Sequence, residues 1–287
     1  MAVTLGRARL SQIVNESGIS AFTKDDFYLV SGGVSQDPGR LVLVGGQAIE
    51  TWGVLLNVRA PTGDQHPLTE DTDWLGSAAD AQWLADFLGR DNTVELTKAT
   101  LDDNTPNTAV MLLQRADQRI LLMDFLHSIT GLSNQEINKM AVSLEVPDLH
   151  GKTYTLRVLH PLHCLQSRMA NLQTHSSKRD GNGPLQAQWA VNIMHAYLQQ
   201  IAVVRPSDQL AKACRELATV SMHGPAEYCY THYGLEPIVV VTPEILEATG
   251  PQFSELEWPH LLKRFHVKKA RWQSTQLQLQ RRKRRAS

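Results

Sequence analysis

The chain has 287 residues, of which 42% are hydrophobic and 20% charged, a composition that fits a globular protein with a sizeable core and excludes a largely disordered one. Three scattered cysteines exclude a disulfide framework and suit a reducing cytosol, and no apolar stretch approaches the roughly 18 residues of a membrane span. With a formal net charge of −1, we expect a cytoplasmic protein without a secretory signal or a membrane partner.

The predicted elements of the first half alternate between strands and helices. In chain order, the apolar spacing predicts a helix over residues 9–17, an extended segment over 27–30, a strand over 41–44, a helix over 47–56, a strand over 69–75, a helix over 78–88, and strands over 94–98, 108–114 and 119–126.

The second half is mostly helical in pattern. A helix is predicted over residues 134–144, a strand over 154–158, and helices over 162–172, 185–203 and 206–220. The fold class predicted is therefore α/β, with a small mixed sheet over residues 1–155, a helical domain over 156–265 and a basic C-terminal tail over 266–287.

Three aspartates stand in the predicted strands. Asp71 and Asp73 lie two residues apart, so their side chains point to the same face of a strand. Asp124 is the single acid of an apolar strand, where a carboxylate is costly to bury unless it binds a cation or a donor-rich partner. Together they predict a site for divalent metal and phosphate. The alternative is that Asp71 is a surface acid and Asp124 caps a strand end.

The pair Gly45-Gly46 predicts a tight turn between a strand and a helix. Missing side chains allow a triphosphate to approach the backbone, the start of a helix favours anions, and Gln47 offers a side-chain donor. The spacing is neither the G-x-G-x-x-G of a dinucleotide fold nor the Gly-Lys-Ser/Thr of a P-loop. A plain strand-to-helix turn is the alternative.

The order of these motifs resembles a known family. Gly-Gly, then Asp-x-Asp, then a later strand Asp is similar to the nucleotidyltransferase superfamily of DNA polymerase β. Leu-Val-Gly-Gly-Gln-Ala followed by Leu-Thr-x-Asp-x-Asp is most similar to bacterial minimal nucleotidyltransferases, which include the AbiEii-type and tRNA-modifying MenT toxins. The resemblance covers residues 38–126. Its interval from Gly46 to Asp71 is longer than usual, which predicts an extra loop over residues 57–67.

The resemblance implies transfer of a nucleoside monophosphate from a nucleoside triphosphate to an acceptor hydroxyl. It implies two Mg²⁺ ions held by Asp71, Asp73 and Asp124, with Asp73 bridging them and Asp124 able to accept the proton of the attacking hydroxyl. The acceptor it implies is RNA, such as a tRNA 3′ end, or a protein, in a toxin with an antitoxin partner. A small-molecule acceptor such as an aminoglycoside, and an inactive module that only binds nucleotide or a partner protein, stay open.

Basic side chains supply candidate phosphate contacts. Arg168 and Lys178 are predicted to bind the nucleotide, with Arg59 and Arg179 as further candidates, and a solvated helix face is the alternative for each. From Lys263 to the end there are ten lysines and arginines and no acid, which predicts either contact with RNA phosphates or a solvated tail.

Two clusters of histidine and cysteine superficially suggest zinc. These are His160-x-x-His163-Cys164 and Cys229-x-x-His232, the latter with His223 nearby. Neither has the full spacing of a structural zinc motif, so neutral, hydrogen-bonded histidines are predicted instead.

Overall fold

The computed structural model describes residues 20–61, 71–100, 102–103, 105–148, 150–205 and 207–286. As far as they are described, these residues form two compact units. The first comprises Met1–Thr51 and Asp64–His160, and the second comprises Trp52–Gly63 and Pro161–Ser287. The helix predicted over residues 9–17 and part of the loop predicted over 57–67 lie outside the described residues.

A mixed sheet of seven strands forms the centre of the first unit. The strand order is β3-β4-β5-β2-β1-β7-β6. β2 pairs with β5, and β1 with β7, in parallel, whereas the other neighbours are antiparallel. The strands are β1 (Val42–Val44), β2 (Asp71–Leu75), β3 (Thr93–Lys98), β4 (Asn107–Gln114), β5 (Ile120–Leu126), β6 (Val142–Pro147) and β7 (Thr153–Val158).

Helices accompany this sheet along the chain, as the α/β prediction requires. They are α1 (Lys24–Val34), α2 (Gly45–Leu55), α3 (Ala78–Leu88) and α4 (Asn134–Met140), with the end of α2 belonging to the second unit. The core of the first unit includes fully buried Leu43, Trp74, Leu84 and Phe125. The predicted α/β class with a mixed sheet is confirmed.

The extended segment predicted over residues 27–30 is wrong, because these residues lie inside α1. Thr23 and Asp26 form a capping box, in which Asp26 N donates to Thr23 Oγ1 and Thr23 N donates to the Asp26 carboxylate at 3.0 Å. The cap satisfies N–H groups that a helix start otherwise leaves without partners. Burial of Val30 and Val34 then fixes the helix against its unit.

The helix predicted over residues 134–144 is too long. It ends at Met140, and residues from Val142 onward form β6 instead. β6 pairs antiparallel with β7, with Val142 opposite Val158 and Leu144 opposite Leu156. A pairing with a strand further along the chain therefore decides the conformation of residues 142–144.

The second unit is helical. Its helices are α5 (Pro161–Thr174), α6 (Asn182–Val204), α7 (Ser207–Val220), α8 (Gly224–Tyr233), α9 (Pro243–Glu247) and α10 (Trp258–Ala286), with 3₁₀ turns over Ser176–Lys178 and Pro237–Val240 and a π-helical segment over Gln252–Glu257. Among the described helices of the chain, none combines the length and apolarity that crossing a membrane requires. α10 continues through the described part of the predicted basic tail, and the buried residues among its described side chains are Trp258, Leu261, Phe265 and Trp272.

Candidate metal centre

Strand pairing brings the three acids onto one face of the sheet. Asp73 of β2 lies directly opposite Asp124 of β5, and residues paired in this way share a face. Asp71 lies on that face too, because it is two residues from Asp73. The alternate residues Thr72 and Trp74 are buried on the other face.

The three carboxylates lie close enough to share a cation. One ligand oxygen from each of Asp71, Asp73 and Asp124 lies within 4.8 Å of the others, and all three residues are half-buried. In the part of the chain that the structure describes, this is the one group of three or more acidic, histidine or cysteine side chains with such geometry. Two carboxylates about 4 Å apart repel by about 4 kcal/mol at an effective dielectric constant near 20. A divalent cation among them would offset that repulsion.

An amide side chain contacts one of the acids. Asn107, the first residue of β4, donates from Nδ2 to Asp124 Oδ1 over 2.9 Å. Sequence reasoning missed Asn107, because the strand predicted over residues 108–114 leaves it out, and strict alternation along β4 would assign it to the opposite face.

Gly45 brings the backbone against the acids. The preceding residue, Val44, pairs with Asp73, and the chain then turns at Gly45 with φ +68°. A Cβ at position 45 would overlap Oδ2 of Asp73. Only glycine permits both this backbone conformation and this approach. The turn also begins α2 at Gly45, two residues earlier than predicted.

The first turn of α2 adds polar groups next to the place where the Gly45 backbone approaches Asp73. Gly45 and Gly46 are the first residues of a helix, and N–H groups at such an end have no acceptor within the helix. Gln47 is only 5% exposed, and its Oε1 has no hydrogen-bond partner among the described residues. A buried amide oxygen without a partner is destabilising by about 1–3 kcal/mol, and as an acceptor it suits a cation or an N–H donor and does not itself bind phosphate.

The residues present fit a divalent cation with phosphate. Three carboxylates supply the hard oxygen ligands that Mg²⁺ prefers. Gly45 provides a cradle that any side chain would fill, and Gln47 retains an unsatisfied buried oxygen. Asp71, Asp73 and Asp124 are the residues that would hold the metal.

The predicted phosphate-binding cations lie in the second unit. Arg168 on α5 donates from Nη1 to Gln186 Oε1 over 2.8 Å, while its Nε is buried without a hydrogen-bond partner among the described residues. Lys178, at the end of the 3₁₀ turn, and Arg59 are exposed. The roles of Arg168 and Lys178 in nucleotide binding stay predictions.

Arg179 has structural contacts. Its Nε donates to Leu172 O over 3.1 Å and its Nη2 to Gln173 O over 2.8 Å, both near the C-terminus of α5. Its guanidinium also lies over the ring of Tyr228 at 5.3 Å. A cation that binds the last carbonyls of a helix stabilises that helix end.

In the histidine and cysteine clusters, His232 is exposed and contacts its own helix, whereas Cys164 and Cys229 are buried. His232 Nδ1 lies 2.9 Å from the carbonyl oxygen of Tyr228, and the two rings stack with centroids 4.0 Å apart. Burial raises the pKa of the Cys164, Cys214 and Cys229 thiols to about 12. Zinc takes the thiolate form, so this burial disfavours metal binding by these cysteines.

Comparison with known proteins gives distant likenesses. No family model and no curated protein matches the chain. Among solved structures, it is similar to an antigenic nucleotidyltransferase-like protein from Paracoccidioides brasiliensis, at 14% identity and a TM-score of 0.37, over 68% of this chain and 94% of that one. It is also similar to the Megavirus polyadenylate synthase, at 11% identity and a TM-score of 0.33, over 65% of this chain and 38% of the synthase. Both TM-scores are below 0.5, so neither likeness indicates a function for this chain.

Proposed function

We propose that the chain is a Mg²⁺-dependent nucleotidyltransferase that moves a nucleoside monophosphate from a nucleoside triphosphate to an acceptor hydroxyl. The observation that carries the proposal is the convergence of Asp71, Asp73 and Asp124, with ligand oxygens within 4.8 Å of one another. A module that only binds a partner has no need of three mutually repelling carboxylates beside a glycine turn.

The chemistry is an in-line displacement at the α-phosphorus. The acceptor oxygen bonds to that phosphorus, the bond to the bridging oxygen of the β-phosphate breaks, and pyrophosphate leaves with the bonding pair. Asp124 accepts the proton of the attacking hydroxyl. Bound Mg²⁺ would supply positive charge for the attacking and leaving oxygens. Asp71 and Asp73 would hold that charge in place, and N–H groups from the first turn of α2 would bind phosphate oxygens.

The acceptor that we propose is RNA, in the setting of a toxin with an antitoxin partner. This finer proposal is supported by the resemblance of residues 38–126 to minimal nucleotidyltransferases and by the acid-free basic segment of α10. Polyanions bind such segments by release of counterions.

A transfer assay tests the proposal. Purified full chain is incubated with each labelled triphosphate, Mg²⁺ and total RNA, with matched arms containing protein alone or an aminoglycoside. We expect label in RNA, abolished by chelator and reduced by more than about 100-fold in Asp71→Asn and Asp73→Asn, because each change removes a charged metal ligand and almost no volume. Asp86→Asn is the control, since Asp86 is exposed on α3 and contacts Gln82.

Each arm of the assay has a defined meaning. Label in the protein or the aminoglycoside keeps nucleotidyl transfer and replaces the acceptor. Full activity in a folded Asp73→Asn variant overturns the metal assignment. Absence of transfer in every arm, together with triphosphate binding that needs Mg²⁺ and Asp73, identifies a nucleotide-binding module instead.

A further inference from the structure

β4 has an irregularity beside the acids. Val110 of β4 lies opposite Asp124 of β5, and opposed residues of an antiparallel pair share a face. Strict alternation from Val110 would place Thr108 on the face of the acids and Asn107 on the opposite face. A regular strand would therefore keep the amide of Asn107 away from Asp124.

A β-bulge reverses this placement. Ala109 pairs with Phe125, but Asn107 pairs with Leu126, so β4 has one more residue than β5 between the two pairs. Leu126 is two residues from Asp124 and shares its face, and Asn107 is returned to that face with it. There its Nδ2 donates to Asp124 Oδ1 over 2.9 Å.

Hydrogen bonds hold the bulge in this form. Thr108 Oγ1 lies within donating distance of two carbonyl oxygens, Gly76 O at 3.0 Å and Phe125 O at 3.2 Å. The backbone N–H of Asn107 donates to Thr105 Oγ1 over 3.2 Å. These contacts come from the chain alone, so the amide is in place before any ligand binds.

We propose that Asn107 is a positioning residue for the metal centre, fixing the rotation of the Asp124 carboxylate. The inference rests on the proposed function, since it assigns Asn107 to the same site. An amide suits this task because it donates a hydrogen bond without a charge. A lysine or arginine at position 107 would orient the carboxylate equally well but would compete with the cation for it.

A metal titration without nucleotide tests the role of Asn107. Mn²⁺ binding to the full chain is measured by calorimetry for the wild type, Asn107→Ala and Asn107→Leu, the leucine keeping volume without a donor. We expect affinity to fall by about 10-fold or more in both variants, as loss of a hydrogen bond to a metal ligand generally causes. In the transfer assay kcat should fall while KM for the triphosphate changes little.

Gln114→Ala provides a matched control. Gln114 lies at the other end of β4 and also uses its amide in a side-chain hydrogen bond, to Gln118 Oε1 at 2.9 Å. Its substitution should leave Mn²⁺ affinity unchanged.

Wild-type Mn²⁺ affinity in a folded Asn107→Leu variant would overturn the role of Asn107 and leave the proposed function standing. Mn²⁺ binding that needs both Asp73 and Asn107, without transfer to any acceptor, would overturn the proposed function and leave the role of Asn107 standing. Failure of the wild type to bind Mn²⁺ would overturn both.

Discussion

Asp26 is a buried acid of the first unit that is not part of the metal centre. It has no exposed surface and accepts hydrogen bonds from Arg115 Nε at 3.1 Å, Arg119 Nη1 at 2.5 Å and Thr23 N at 3.0 Å. Burial by itself raises the pKa of Asp26, but the hydrogen bonds from Arg119 and Thr23 outweigh it, and the pKa lies below the ordinary value of 3.8. The charged form therefore stabilises the fold.

Asp26→Asn should reduce the free energy of unfolding at neutral pH. We expect a loss of about 3 kcal/mol, at the lower end for a broken buried ion pair because both arginines are partly exposed. A lowered folded-state pKa gives stability that is present above 3.8 and is lost as the pH falls through the folded value. Urea unfolding from pH 7 into the acid range should show the difference between the two proteins beginning to shrink as the pH falls below 3.8.

Asp117→Asn is the control for that prediction. Asp117 also binds Arg119, over 2.7 Å, but its side chain is 55% exposed, so Asp117→Asn should lower the free energy of unfolding far less than Asp26→Asn does. Equal losses in the two variants would contradict the role assigned to burial.

Gly45→Ala should destroy the metal centre. Alanine is strained by about 1–2 kcal/mol at φ +68°, and its Cβ would displace the Asp73 carboxylate. Gly151→Ala is the control for backbone strain alone, because Gly151 has φ +79° and nothing lies within 4 Å of an added Cβ. A comparison of the two variants therefore isolates the displacement of the carboxylate. Both variants should lose stability, Gly45→Ala more than Gly151→Ala because of the overlap with Asp73, and only Gly45→Ala should lose Mn²⁺ binding. Retained Mn²⁺ affinity in Gly45→Ala would show that the carboxylate can move aside.

At the level of elements, helix α10 has buried side chains in its first part, and the described side chains of its last part are exposed or half-exposed. Trp258, Leu261, Phe265 and Trp272 are buried, and the Trp272 ring packs against Phe265 with centroids 5.8 Å apart. Beyond Trp272, the described side chains of residues 273–278 and 281 are exposed or half-exposed. Among the described side chains of α10, Trp272 is therefore the last buried one.

Two truncations should separate these two parts. Ending the chain after Gln278 keeps every described buried residue of α10 and should change the free energy of unfolding by less than about 0.5 kcal/mol. Ending it after Arg271 removes Trp272 and should lower the free energy of unfolding by about 3–5 kcal/mol. Chemical denaturation measures both. A large loss after Gln278 would place further packing in the last residues.

The sequence predicted what depends on local pattern. Spacing of two residues put Asp71 and Asp73 on one face, and the glycine pair marked the turn into α2. That Asp73 lies beside Asp124 followed only from the family order, because parallel pairing of β2 and β5 joins distant segments. Asn107 could not be found, since the bulge that turns it breaks the alternation from which faces are read.

The misassigned segments have the same physical origin. Residues 142–144 extend an apparent helical pattern, and their pairing with β7 overrides it. The four residues predicted as extended before Ser31 form a helix because of a cap upstream, at Thr23 and Asp26. In both cases a partner outside the apolar run decided the structure.

For the molecule as a whole, charge is distributed unevenly. The net charge is −1, yet ten cations and no acid lie from Lys263 to the end. Two of the cations whose side chains are described have partners within the second unit: Lys268 Nζ donates to Met222 O over 2.7 Å, and Lys269 pairs with Glu236 over 2.6 Å. Lys263, Arg264, Arg271 and Arg281 are exposed. The run thus combines structural cations with solvent-facing ones.

Replacing residues 281–285 by glutamine should weaken RNA binding and flatten its salt dependence. Each lost phosphate contact on a single strand lowers the slope of log affinity against log salt by about 0.7. Lys269→Gln is the control, because its partner is Glu236, and it should leave that slope unchanged. Filter binding over a salt series measures both. Equal slopes for the wild type and the five-residue variant would make residues 281–285 a solvated end of the chain.

The position of β2 within the sheet links the site to the stability of its unit. β2 lies between β1 and β5, so neither of its edges can fray independently of a neighbouring strand. Backbone amides of such a strand exchange with solvent only in the largest openings of a structure. Any ligand of the acids must then oppose global unfolding, by about 2.7 kcal/mol at a concentration 100 times its Kd. The melting temperature of the protein becomes a reporter of occupancy, with which ions and triphosphates can be ranked before an acceptor is known.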